Sequence, residues 1–192
     1  YSPRFTAATQ VYAADTNGQD VTWSRAFTLG TNGGISKSGA GTLTLSGGSV
    51  TMGTSGLAAS GGTLAVAAAT LTSTTGALLD VTGGGQIEIG GVNRIGTAAV
   101  PLSITGGGEV VFTGRYLNIG QGTVTVGGGA TVFFNRDDNN INGQILVNDG
   151  VIVGGTLANV STSSSFGGQS SNGRATVRLG NANTSGTLRY TG

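Results

Sequence analysis

The sequence contains neither cysteine nor histidine among its 192 residues. Without cysteine there are no disulfides and no thiolate metal sites, and the redox compartment cannot be inferred. Without either residue, the Ser-His-Asp triad, the Cys-His pair and imidazole-bound metals are also excluded. Carboxylates are the main catalytic side chains that remain. The sequence therefore favours a protein that is not an enzyme and that needs no cofactor.

Charge and long apolar runs are also scarce. Only 9% of the residues are charged and the net charge is +1, so the chain has no field that would attract nucleic acid or an anionic membrane. No run of about 18 apolar residues is present, so we expect no membrane insertion. The sequence does not start with a basic and then apolar leader, which suggests a mature product or an excerpt.

Glycine, by contrast, is abundant, with 38 residues, while proline occurs only twice. The glycines are irregularly spaced, which excludes the strict triplet of collagen. Thr, Ser, Val and Leu accompany them, and the helix-forming composition of long helices is missing. Hydrophobic residues make up 37% of the chain and alternate in order, unlike those of a disordered segment. The composition indicates an all-β protein.

A glycine-punctuated motif recurs along the chain, with an apolar residue at every second position. The intervals between successive copies are 21, 23, 23 and 22 residues when the copies are aligned on Leu43, Leu64, Ile87, Val110 and Val132. A period of this length without helix-length patterns marks a unit that cannot bury its own face and must stack on its neighbours. The sequence predicts a β-solenoid with about 22 residues per turn.

Each period contains three short alternating segments about seven residues apart, such as residues 42–45, 49–52 and 57–60. The corners between them include glycine triplets, which tolerate positive φ. Alternation places Leu43 and Leu45 on the inward face. We therefore predict a three-sided parallel β-helix. An antiparallel sandwich is the alternative, because short strands with glycine turns also fit that class.

The motif is weaker towards both ends of the chain. Residues 1–26 lack it and hold four of the eleven aromatic residues, so we interpret them as an N-terminal cap or linking segment. Residues 27–192 are assigned to the solenoid. Within them, the Ser/Gly-rich segment 161–173 is predicted to be a long polar loop that leaves the coil.

Residues 37–47, Lys-Ser-Gly-Ala-Gly-Thr-Leu-Thr-Leu-Ser-Gly, resemble the autotransporter-associated β-strand repeat of secreted bacterial surface proteins. The resemblance implies a right-handed parallel β-helix that is extracellular or on the cell surface, and it implies no catalytic residues. Residues 24–30 and 186–192 are similar to segments that precede this repeat in such proteins. There the second segment usually comes shortly before the first, whereas here they lie at opposite ends. This suggests head-to-tail continuation.

The end of a solenoid exposes an unpaired row of N–H and C=O groups, which natural repeats usually cover with a cap. The sequence shows no recognisable cap after its last strand-like segment. We therefore expect a structural or adhesive module of a surface protein or fibre, which pairs end to end with itself or with further repeats of a longer chain. The candidate interface residues are Leu188, Arg189, Tyr190, Tyr1, Phe5 and Trp23.

Three arginines, Arg94, Arg115 and Arg136, are spaced by 21 residues, close to one turn of the solenoid. This spacing predicts a column of guanidinium groups along one edge. Like charges in a column repel unless an anion lies among them. The anion could be a carboxylate of this chain or a sulfated or uronic-acid glycan. Binding of an anionic polysaccharide is thus the alternative function.

A related alternative is cleavage of such a polysaccharide. Glu88 and Glu109 fall on the same predicted face one turn apart, offset by two positions, which would separate their carboxylates by about 8 Å. That separation lies within the range of inverting glycosidases. Two solvated carboxylates on an exposed face are the simpler interpretation.

Residues 138–143, Asp-Asn-Asn-Ile-Asn-Gly, match the opening of a calcium-binding loop. Oxygen ligands at alternate positions suit a hard cation. The candidate calcium ligands are Asp138, Asn140, Asn142 and Asp149. The flanking segments read as strands and not as helices, so an ordinary Asn/Asp turn is the alternative.

Overall fold

A computed structural model of the chain describes residues 9–68, 70–73, 76–95, 101–157, 162, 164–167 and 176–192. The described residues form 22 β-strands arranged in three sheets. They contain no helix, and so none that is long and apolar enough to cross a membrane. We call one turn of the solenoid a rung and the stack of rungs the coil.

The first two sheets have eight strands each and the third has six. Sheet A contains, in spatial order, β1 (Val11–Asp15), β4 (Gly34–Ser38), β7 (Gly56–Ala59), β10 (Ala77–Val81), β13 (Leu102–Thr105), β16 (Val124–Val126), β19 (Gln144–Val147) and β21 (Thr176–Leu179). Sheet B contains β2 (Val21–Trp23), β5 (Thr42–Leu45), β8 (Thr63–Val66), β11 (Gln86–Ile89), β14 (Glu109–Phe112), β17 (Ala130–Phe134), β20 (Gly150–Gly154) and β22 (Gly186–Tyr190). Sheet C contains β3 (Phe27–Thr28), β6 (Ser49–Met52), β9 (Thr70–Ser73), β12 (Val92–Arg94), β15 (Arg115–Gly120) and β18 (Asn140–Ile141).

Neighbouring strands run parallel in all three sheets, and each pairs with the strand one rung away. The repeat is about 22 residues per turn. The three-sided parallel β-solenoid predicted from the sequence is therefore confirmed, and the antiparallel sandwich is wrong. The predicted alignment of the motif is also confirmed, since Leu43 pairs with Leu64, Leu64 with Ile87, and Ile87 with Val110.

The core consists of inward-facing columns in which each side chain stacks on its equivalent in the next rung. Leu43, Leu45 and their equivalents in β8, β11 and β14 are almost wholly buried. Each such Leu or Val contributes about 1.5–3 kcal/mol by leaving water. Phe112 and Phe134 stack in parallel with ring centroids 5.4 Å apart. The corners turn as expected, with positive φ at Gly84 (76°) and Gly129 (82°).

The coil begins earlier than the boundary predicted at residue 27. Within residues 1–26, β1 pairs with β4 and β2 pairs with β5, both in parallel. These strands lack the glycine motif, but they keep the alternation that lets Tyr12 and Trp23 pack against the core. Residues 11–23 therefore form a rung of the coil and not a separate cap.

The loop predicted at 161–173 does not wholly leave the coil. Most of it lies outside the described residues, but residues 164–167 are buried and Phe166 belongs to the core. Phe166 packs edge-on against Phe134 with ring centroids 5.7 Å apart. It occupies the space beside Gly154, where a Cβ would meet the Phe166 ring. An aromatic ring from the loop thus replaces the side chain that Gly154 lacks in its column.

Candidate functional site

The N-terminal rung, defined here as β1 and β2, forms one end of sheets A and B. Among the described residues, no strand pairs with the outer edge of either. Val11 is 42% exposed and Val21 is similarly exposed, whereas Tyr12 and Trp23 are partly buried against the core. This rung therefore leaves apolar side chains and backbone hydrogen-bonding groups accessible at one end of the coil.

The C-terminal rung, defined as β21 and β22, forms the other end of the same two sheets. Leu179 is 47% exposed and Tyr190 is 54% exposed, and Val177 is also exposed. Leu188 packs partly against the core. Within the described part of the chain, nothing pairs with the outer edges of these strands.

Both ends continue the columns that form the core. Following the register from rung to rung assigns three apolar residues of one end to the same inward columns as three residues of the other end. The residues that share a column are Leu188 with Val21, Tyr190 with Trp23, and Leu179 with Tyr12. Each end of the coil therefore presents residues of the core columns.

The two ends carry opposite charge. In residues 11–23 the charged side chains are Asp15 and Asp20, both exposed. In residues 176–192 they are Arg178 and Arg189, which are also exposed. Asp15 accepts a hydrogen bond from the Asn17 N–H, and Asp20 accepts one from the Thr42 N–H at 2.8 Å. Arg25, which follows β2, is exposed as well, so the first turn, residues 11–28, holds two aspartates and one arginine, whereas the C-terminal rung holds two arginines and no acidic residue.

Lys37 in β4 binds the N-terminal rung to the rungs above it, and no sequence pattern predicted this role. Lys37 is 0% exposed and occupies an inward position of β4. Its register neighbours are Ala14 and Ala59, whose small side chains leave room for the long lysine. The signal for this residue is its uniqueness, because it is the only lysine in the sequence.

The Lys37 ammonium bridges three successive rungs. Its Nζ donates to Thr16 Oγ1 in the first rung at 3.0 Å and to the Gly61 carbonyl in the third at 2.9 Å. The carbonyls of Ser38 and Gly39 beside it also accept from Nζ, at 3.1 and 2.6 Å, so its three N–H groups are shared among four acceptors. Desolvation lowers the pKa of Lys37, and the nearby Asp15 charge opposes this shift.

The structure places the predicted interface residues at the ends of the coil. Leu188, Arg189 and Tyr190 lie in β22, and Trp23 lies in β2. Tyr1 and Phe5 lie outside the described residues. Leu179 and Tyr12 were not predicted as interface residues, although they share a column across the two ends, and neither was the exposed Val177.

The three arginines do not align in one column. Val92 pairs with Arg115, an interval of 23 residues, whereas Arg94 pairs with Asn118. The 21-residue spacing therefore misses the local register by two positions. Arg136 lies in the longer corner before β18. There its guanidinium binds Asp138, with Nη2 to Oδ2 at 3.2 Å, and this hydrogen bond raises the pKa of Arg136.

Arg136 lines an open polar cleft with a volume of about 460 Å³. The lining residues are Asn135, Arg136, Asp137, Gly155, Thr156, Ser165 and Thr191. Thr156 and Ser165 bind each other across it, the Ser165 N–H donating to Thr156 Oγ1 at 2.8 Å. The cleft presents hydroxyl, amide and charged groups of both signs.

The candidate calcium ligands are spread over two corners. Asp138 pairs with Arg136, and Asn140 begins β18, where its Nδ2 donates to Asn118 Oδ1 at 3.4 Å. Asn142 follows β18, and its buried Oδ1 has no hydrogen-bond partner among the described residues. Asp149 follows β19, a four-residue strand about 13 Å long. The described residues contain no cluster of three or more Asp, Glu, His or Cys that could hold a metal.

Glu88 and Glu109 have the predicted offset, because Glu109 pairs with Gln86 in the neighbouring strand. Each carboxylate accepts a hydrogen bond from a side chain of the adjacent rung. Glu109 Oε2 accepts a hydrogen bond from Gln86 Nε2 at 3.2 Å, and Glu88 Oε1 accepts one from Thr113 Oγ1 at 3.3 Å. Both carboxylates thus take part in rung-to-rung polar contacts on the outer face.

No family model, curated protein or solved structure matches the chain. The similarity of residues 37–47 to the autotransporter-associated repeat stays a resemblance. Function is therefore inferred from the geometry of the coil and its ends.

Proposed function

We propose that this chain is a structural or adhesive module of an extracellular bacterial surface protein or fibre, and that its end rungs pair with further parallel β-solenoid. The observation that carries the proposal is that, in the part of the chain that the structure describes, no strand covers either end, and core columns reach the surface through Val21 on one side and through Leu179 and Tyr190 on the other. Soluble proteins protect such strand edges or use them for pairing.

The elongated, stacked architecture suits such a role. Each rung contacts its neighbours, so length can be added rung by rung without rearranging the core. On the outer face, Glu88 and Glu109 make rung-to-rung contacts. The resemblance of residues 37–47 supports the extracellular bacterial setting, which antibody labelling of intact cells tests.

End pairing is tested with a tandem chain, in which two copies are joined by a flexible linker of about ten Gly and Ser residues. We expect small-angle X-ray scattering to show one straight rod with an unchanged cross-section and about twice the length of a single copy. The expectation follows because paired end strands satisfy their backbone groups and bury their apolar residues. A hinged particle, in which two short rods reorient freely about the linker, would contradict the proposal.

A second candidate function is binding of an anionic polysaccharide at the cleft beside Arg136. The cleft is open and polar, and Arg136 is part of its lining. We expect heparin or alginate columns to retain the protein at low salt, and Arg136→Ala to shorten retention because it removes the guanidinium that binds sulfate or carboxylate. Arg115→Ala is the matched control, since Arg115 is exposed and does not line the cleft. Equal retention of both variants would exclude this site.

A further inference from the structure

We propose that the partner of each open end is a second copy of this chain, stacked head to tail so that the C-terminal rung of one copy pairs with the N-terminal rung of the next. This inference rests on the proposed function and specifies its partner, polarity and register. It identifies the occupant of the two open ends from their strand direction, apolar columns and charge.

Because the strands are parallel, a second copy continues the sheets when its N-terminal rung faces the C-terminal rung of the first copy. Neighbouring strands of sheets A and B are parallel along the whole coil. A second copy translated along the coil axis therefore continues both sheets, with β21 next to the neighbour's β1 and β22 next to its β2. Such an interface joins two different surfaces and does not close on itself, so it produces filaments.

The apolar columns determine the register. Each end residue meets the residue that already belongs to its column, as inside a single chain. The three contacts are Leu179 with Tyr12 of the next copy, Leu188 with Val21 and Tyr190 with Trp23. The most exposed apolar residues of the C-terminal rung are thereby covered. A register shifted by one residue would turn them outward.

Charge favours this polarity over the two head-to-head arrangements. Stacking the C-terminal rung on the N-terminal rung places Arg189 two positions from Asp20 of the next copy, on the diagonal across the junction. Stacking like ends would bring arginine to arginine or aspartate to aspartate, which costs free energy at low salt. In the proposed register Arg189 lies directly opposite the exposed Thr22 of the next copy.

That pair of positions allows a charge-swap experiment. Arg189→Glu removes the net positive charge of the basic end, places a carboxylate near Asp20 of the next copy, and weakens that contact. Thr22→Lys places a lysine opposite Arg189 and weakens the same contact by repulsion. We expect each variant alone to reduce the association constant of the 192-residue chain about two- to fivefold in sedimentation velocity, the range for cross-strand charge pairs. The wild-type chain should lengthen with concentration and shorten with added salt.

An equimolar mixture of the two variants is the decisive measurement. The glutamate that Arg189→Glu introduces then meets the lysine that Thr22→Lys introduces, and every other junction in the alternating filament has the wild-type residues. We expect the mixture to recover wild-type association. Weakening by each variant alone, followed by recovery in the mixture, is specific to head-to-tail stacking. A contact between two C-terminal rungs would also bring opposite charges together in the mixture, but it would not respond to Thr22→Lys alone.

Two results would overturn the inference. A wild-type chain that stays monomeric at all concentrations would show that separate copies do not stack. Association that the mixture fails to restore would show a different polarity or register. If the tandem chain still forms one straight rod in either case, the end rungs do pair with parallel coil, and the proposed function survives without the second-copy inference.

Discussion

We expect Lys37→Met to lower the free energy of unfolding by about 3–5 kcal/mol, because it leaves one buried and several partly buried acceptors without their donor. Methionine is similar in length and fills much of the same space. The loss of stability therefore reports the missing ammonium group and not a loss of packing. The carbonyls of Gly39 and Gly61 and the hydroxyl of Thr16 lose a charged donor. Each orphaned acceptor costs about 1–3 kcal/mol when it stays buried.

Urea unfolding followed by circular dichroism measures this loss. Arg115→Ala is the control, since it also removes one positive charge but from an exposed side chain, and a change within about 0.5 kcal/mol is expected for it. Hydrogen exchange should locate the effect in the N-terminal rung, at amides such as Thr16 N–H, which donates to Ser38 across the first two rungs. An unfolding midpoint equal to that of the wild type would contradict the role assigned to Lys37.

The uniqueness of Lys37 provides an independent readout on the unmodified protein. Since no other lysine is present, an amine-reactive reagent can label only this side chain and the α-amino group. A fully buried side chain reacts at the rate at which the first rungs open. Labelling of Lys37 in the native protein as fast as in urea would show that the rung-to-rung bridge does not persist in solution.

We expect Phe166→Ala to lower the free energy of unfolding by about 3–5 kcal/mol, since it removes a buried aromatic ring from the core. Phe166 is the last ring of a series in which Phe112 stacks on Phe134 and Phe134 meets Phe166 edge-on. Its loss leaves a cavity beside Gly154, which has no side chain to fill it. Urea unfolding of the variant gives the value.

Leu157→Ala is the matched control from the same region, because Leu157 is 57% exposed and outside the core. A double-mutant cycle with Gly154→Ala tests the mechanism itself. A methyl group at Gly154 would overlap the Phe166 ring, so we expect Gly154→Ala to destabilise the wild type and to cost much less in the Phe166→Ala background. Equal costs in both backgrounds would contradict the packing described here.

Most of the strands could be predicted because their pattern is local. In a strand, alternate residues face the core. The sequences Thr-Leu-Thr-Leu at β5 and Gln-Ile-Glu-Ile at β11 therefore indicate directly which side chains face inward. Recurrence of the pattern every 21–23 residues then implies stacking, since one rung cannot bury its own inward face. These two facts were sufficient for the parallel solenoid and for the inward columns of the core.

Predictions that depended on corner lengths were less accurate. The spacing of Arg94 and Arg115 suggested alignment, but register is set by backbone pairing, and the pairing of Val92 with Arg115 shifts them apart. Asp149 is likewise separated from Asn142 by β19, which a loop-based calcium pattern does not anticipate. Spacing in sequence becomes distance in space only when the number of residues in each corner is known.

The amino-acid sequence was enough to establish the class of fold, the period and the identity of most core residues, because alternation and repetition are properties of short segments. It did not reveal the hydrogen bonds of the buried Lys37, the packing of Phe166 beside Gly154, or the column that Leu179 and Tyr12 share at the two ends. Those features join residues about 12 to 170 positions apart in the chain. They become visible only once the rungs are stacked in register, since contact between distant segments depends on how the backbone pairs.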